Sequence, residues 1–154
     1  MNTKMECYML SLLLKEGRKT QIHVKGISML PTLVDGDCIT VQRFSSYDVG
    51  DILVFRYKFD ELLVHRLLKK EDRYYCKGDN AFRLEDIQLG QILGKVVEVN
   101  GQAITPWPKW KIDLSLEVGY IFRHNHYDVL KTKRTTVYQQ YYEKIFQENT
   151  SQVQ

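Results

Sequence analysis

Apolar and polar positions along the chain fall into three regimes. From Thr3 to Glu16, Met5, Met9, Leu12 and Leu13 make one stripe at helical spacing, with Tyr8 beside it, which predicts an amphipathic helix. Thr3 and Glu6 have capping-box spacing, and Gly17 stands where such a helix would end. The stripe is expected to pack on the rest of the chain; a membrane surface or a partner contact are its other uses. From Gln21 the period drops to two. Short strands are predicted over Gln21 to Lys25, Cys38 to Phe44, Asp51 to Tyr57, Leu62 to Lys69, Arg73 to Cys76 and Gln91 to Val99. Asp35-Gly36-Asp37, Gly50-Asp51, Lys77-Gly78-Asp79-Asn80 and Asn100-Gly101 punctuate them as turns, the last suited to a type I′ hairpin. After Thr105 a rigid aromatic connector, Pro106-Trp107-Pro108-Lys109-Trp110, leads to a second helical pattern over Val137 to Phe146. The expected organisation is a helix over 1–19, a β-rich domain over 20–105 and a helical tail over 106–154.

Composition narrows the class. The chain has 154 residues, enough for one domain, and 44% hydrophobic residues, enough for a core. A net charge of +3, with basic residues scattered, does not suggest nucleic-acid binding. No apolar run approaches a membrane span, and no cleavable secretion signal is apparent. Cys7, Cys38 and Cys76 are odd in number and far apart, which fits reduced thiols in a cytoplasmic setting better than a disulfide framework or a zinc site. No metal or other cofactor is expected.

Candidate chemistry is concentrated in Gly26-Ile27-Ser28-Met29-Leu30-Pro31-Thr32. A nucleophilic serine needs a fixed, accessible oxygen with backbone N–H donors nearby, and a tight turn stiffened by Pro31 supplies both. By itself a serine in such a turn is usually just a turn residue. His65 shares a strand face with Leu63 and Leu67, where a lone histidine is usually a core residue. Asp35, Asp37 and Asp51 sit beside glycines and are expected to cap turns. His124-x-His126-x-Asp128 lacks further ligands for a metal. His23 is expected to face outward or toward a groove, with no chemistry assigned.

The motif order changes this weighting. Gly26-x-Ser28-Met29-x-Pro31-Thr32 closely resembles the nucleophile motif of the signal peptidase I and LexA-like serine peptidases. Asp35-Gly36-Asp37, Val49-Gly50-Asp51-Ile52-Leu53-Val54-Phe55, Val64-His65-Arg66-Leu67, Lys77-Gly78-Asp79-Asn80 and Gln91 to Val97 resemble the segments that follow it in that family. The resemblance implies a mainly β fold, a coiled sheet or barrel with flanking helices, and a serine endopeptidase. Ser28 would be its nucleophile. His65 stands where most members have a lysine base, as in the branches that use histidine. Histidine as a residue type titrates at roughly 6.5, so it needs less tuning than lysine to act as a base near neutral pH. A third group usually orients such a histidine; Asp86 is the preferred candidate and Asp79 the other. The implied partner is a protein or peptide precursor from which a leader or signal-like segment is cut, with small side chains at the cut site. A non-catalytic leader-binding module and a peripheral membrane signal peptidase are the alternatives.

Overall fold

The computed structural model describes residues 3–124, 139–141 and 143–145. Helix α1 (Thr3–Lys15) is followed by strands β1 (Thr20–His23), β2 (Cys38–Gln42), β3 (Ile52–Arg56), β4 (Leu62–Lys70), β5 (Tyr74–Lys77), β6 (Glu85–Ile87), β7 (Ile92–Val99) and β8 (Gln102–Ala103), then by helix α2 (Lys109–His124). All strand pairs are antiparallel, in the order β1-β2-β7-β3-β4-β5-β6, with β8 on β7. The sheet is open, not a closed barrel.

Period-two burial builds a core on each side of the sheet. Ile52 and Val54 face one core, with Ile39, Val41, Met29 and the α1 residues Leu10 and Leu14. Leu53 and Phe55 face the other, with Leu67, Cys76, Ile87 and Tyr47. The central strand β3 is therefore an unbroken apolar run with both faces covered. A register shift between Leu67 and Lys69 bulges β4, and Leu68 leaves the main sheet faces to pack with Leu84 and Ile112 of α2. Asn100 and Gly101 have φ of 50° and 80°, the paired left-handed conformation of the predicted hairpin turn.

Three expectations are corrected. The buried face of α1 is Cys7, Leu10 and Leu14; Met5, Tyr8, Met9 and Leu12 are exposed, and Leu13 is half-buried. Helical structure after the connector begins at Lys109, so Lys109 and Trp110 belong to α2, which falls in the expected helical tail but ahead of the segment that carries the predicted helical pattern. β6 was not anticipated. Of the helix predicted over Val137 to Phe146, residues 139–141 and 143–145 are helical, and Tyr141 and Ile145 are buried against Val118 of α2. His126 and Asp128 lie outside the described residues.

Candidate active site

Ser28 sits on the turn that leaves β1. Gly26, at φ 85°, starts it in a conformation that favours glycine, and its N–H donates to Asp35 Oδ1 at 2.7 Å. Met29 anchors the turn in the core, 2% exposed. The Lys77–Asn80 segment clasps it from the other side: the Asn80 N–H donates to the Ser28 carbonyl at 2.8 Å, and Asn80 Nδ2 donates to the Ile27 carbonyl at 3.1 Å. Gly78 permits this approach, since a Cβ there would lie 2.5 Å from the Ser28 carbonyl oxygen and 3.2 Å from His65 Nε2.

β4 carries His65 to the same point. Its Nε2 lies 3.1 Å from Ser28 Oγ. The imidazole is 6% exposed and packs edge-on against Phe55, with ring centroids 6.2 Å apart. Behind it, Glu85 Oε1 comes within 2.9 Å of Nδ1, and Glu85 is 1% exposed. Beyond this ion-pair contact through Oε1, His65 Nδ1 and Glu85 Oε2 are buried without a hydrogen-bond partner among the described residues. A carboxylate at this distance favours the tautomer with its proton on Nδ1, which leaves the Nε2 lone pair for the serine hydroxyl. Arg83 lies 3.9 Å from the same Glu85 oxygen.

The structure thus brings Ser28 and His65 together, and the carboxylate beside them is Glu85. Asp79 and Asp86 are engaged elsewhere, which corrects the expectation that one of them orients the imidazole. Asp86 faces the other side of β6 and pairs with Arg73, with Arg123 3.9 Å away. Asp79 is fully buried and accepts from Arg66 twice, at 2.9 Å each, and from Thr32 Oγ1 at 2.6 Å. Its carbonyl accepts from the Tyr141 hydroxyl, and its N–H meets Met29 Sδ at 3.3 Å. Arg66 also donates to the Gly50 carbonyl at 2.9 Å and stacks on Trp107, 4.0 Å from the ring centroid. Asp79 and Arg66 thus tie the nucleophile turn to β4, to the Gly50 turn and to the C-terminal segment.

Asp35, Asp37 and Asp51 cap turns through the N–H groups of Gly26, Val34 and Asp48. Among the described residues no group of three metal-ligating side chains is assembled. Cys7 and Cys76 are buried and Cys38 half-buried, all as free thiols, and burial pushes Cys76 well above the usual thiol range.

Lys77 is completely buried, yet its ammonium donates to the Gly78 and Ala81 carbonyls at 3.0 and 2.6 Å and lies 4.8 Å from the Tyr141 ring centroid. Burial lowers its pKa from 10.5 to about 8. Between those values the unfolded chain holds the extra proton, so folding stability rises with pH, by about 3 kcal/mol in all, and that gain is lost again as pH falls toward 8. Urea midpoints at pH 8 and pH 10 should show this rise in the wild-type chain and a smaller one in Lys77→Met.

A groove of about 560 Å³ opens beside Ser28 and His65, bounded by α1, β1 and the first half of β4. Among the described residues, β1 pairs only with β2, and β4 pairs with β5 only from Arg66 onward. The groove therefore runs between two strand edges that have no sheet neighbour on that side among the described residues. His23 lies on its rim.

The open antiparallel sheet presents a serine–histidine pair at the end of a groove, and the sequence comparison identifies the family. The family model for Peptidase S24-like proteins matches residues 3–104, and the chain belongs to that family. The match takes in α1, which lay outside the motif resemblance. The chain is 37% identical over 81 residues to a LexA repressor from Geobacillus kaustophilus (strain HTA426), covering 51% of this chain and 39% of that protein. It is 34% identical over 91 residues to one from Geobacillus sp. (strain WCH70), covering 57% and 44%, and 32% identical over 92 residues to one from Leuconostoc citreum (strain KM20), covering 58% and 43%. The chain thus spans less than half the length of these curated relatives.

Proposed function

We propose that the chain is a serine endopeptidase of the histidine-base type, resembling the corresponding signal peptidases, that cuts a leader or signal-like segment from a protein or peptide precursor. The observation that carries this reading is the 3.1 Å approach of His65 Nε2 to Ser28 Oγ at the end of an open groove. His65 takes the hydroxyl proton as Ser28 Oγ attacks the peptide carbonyl, then gives it to the departing amine as the C–N bond breaks. Water, deprotonated by His65, releases the acyl group and restores the serine. Glu85 faces the imidazolium formed in each half. The Ser28 N–H has no acceptor among the described residues, which leaves it available to donate to the oxyanion in this reading. The substrate enters as an extended segment that pairs with β1 or β4.

A second reading places the enzyme on a membrane surface. No helix among the described residues is long and apolar enough to cross a membrane, but Met5, Tyr8, Met9 and Leu12 of α1 are exposed and Phe59 is fully so. One experiment addresses both readings. Purified chain is incubated with a proteome-derived peptide mixture, with and without phospholipid vesicles, and both peptides and intact chain are weighed by mass spectrometry. New peptide termini with an intact chain support cleavage in trans. Shortening of the chain alone would replace that reading with self-cleavage, and no cleavage under either condition would leave a binding module. Flotation of the chain with the vesicles would establish the membrane-bound form.

A further inference from the structure

The end of the groove remote from Ser28 has a chemistry of its own. β1 runs from Thr20 and β4 from Leu62, and both run toward the Ser28–His65 pair. Their starting residues therefore mark the remote end, about 13 Å away for four extended residues. Cys7 Sγ donates to the Asp60 carbonyl at 3.1 Å, which holds α1 against the loop before β4 and makes the helix a wall of that end. Met9 and Leu13 from α1, Ile22 from β1 and Leu62 from β4 supply an apolar lining. Glu6 and Glu61 also line the groove, and neither has an ion pair among the described residues. Lys25 stands at the opposite, catalytic end.

We propose that this remote end is a specificity subsite, walled by α1, for an extended peptide segment with apolar side chains and a basic residue about four positions from the bond to be cut. The proposal rests on the peptidase reading for the identity of that bond. An extended peptide fits because the groove offers unpaired backbone on two sides, which a helix or a small apolar molecule would leave unsatisfied. A basic residue fits because the carboxylates lie at the end where the peptide leaves the apolar lining. The two charges set which segment is held more than how tightly.

The test is selection of a displayed library of random dodecapeptides on the full chain carrying Ser28→Ala, which binds without cutting. Enriched peptides are expected to combine alternating apolar residues with one Lys or Arg. Adding Glu6→Lys and Glu61→Lys should invert the charge preference to Asp or Glu and weaken the selected basic peptides about tenfold. Glu6→Gln with Glu61→Gln, a milder change, should remove the preference without inverting it. Enrichment that is identical across these baits, lacks a basic residue or fails altogether would overturn the subsite. The enriched peptides are then offered to the wild-type chain. Peptides that bind with the expected preference and stay uncut would overturn the peptidase reading and leave the subsite standing; cutting without charge preference would do the reverse.

Discussion

Ser28→Ala is expected to reduce cleavage of a susceptible peptide by at least about four orders of magnitude, because the attacking oxygen is removed and no other hydroxyl replaces it. The fold should be unaffected, since the Ser28 contact with the supporting segment is made by its carbonyl, which alanine retains. Equal urea midpoints with unequal kcat would separate chemistry from stability. His65→Ala should cost a comparable amount, and the double variant little more than either alone, since a nucleophile and its base act as one unit. Glu85→Ala should lower kcat by about 10²-fold or more with KM little changed, with Glu85→Asp recovering part of the loss. A Ser28→Ala chain or a His65→Ala chain that still cuts at the wild-type rate would exclude the serine–histidine mechanism.

Asp79→Ala should be the most damaging change to the fold, at about 3–5 kcal/mol. It strands the Arg66 guanidinium, 1% exposed, without its carboxylate and leaves the Thr32 hydroxyl unpaired. The cost is mostly that of the orphaned charge, so Arg66→Met together with Asp79→Ala should recover part of it. Trp107 stacks on Arg66, so its fluorescence provides a local readout of denaturant unfolding. Asp86→Ala is the contrasting case. Its pair with Arg73 is partly exposed, and the change should cost less than about 1 kcal/mol and leave catalysis intact. Loss of catalysis without loss of stability in Asp79→Ala would overturn the structural role given to it here.

The contrast between these two aspartates shows how far the sequence could be read. The strands from β1 to β5 and β7 followed from period-two alternation and glycine turns, and the placement of Ser28 and His65 followed from motif order. The third carboxylate did not. Glu85 and Asp86 are adjacent, and on a strand adjacent residues face opposite sides. The available signal was Ile87: Glu85 lies two residues from it and shares its buried face. Without β6 recognised as a strand, that parity had no meaning. Helix α1 failed for a different reason. Apolar residues surround most of it, so composition could not say which side the sheet covers, and a stripe of Met5, Met9 and Leu12 was as plausible as Cys7, Leu10 and Leu14. The Arg66–Asp79 pair was hidden because an arginine within a strand and an aspartate in a glycine turn each ordinarily point to solvent; their burial arises from contacts 13 residues apart in sequence and from Trp107 and Tyr141 beyond the sheet.

If the chain cuts peptides as proposed, the gap between β1 and the first half of β4 would make the site a detector of local unfolding. Each strand edge there can be satisfied only by a chain already stretched out, and stretching a segment of a folded protein first requires that segment to leave its own helix or sheet. For an enzyme of this shape, the cutting rate at a given bond equals its rate in a free peptide multiplied by the fraction of time the bond's surroundings are open. A precursor whose body folds quickly while its leader stays loose would be trimmed only at the leader, with no need for the enzyme to recognise the body. A stable protein carrying the same short sequence inside a strand would be left whole.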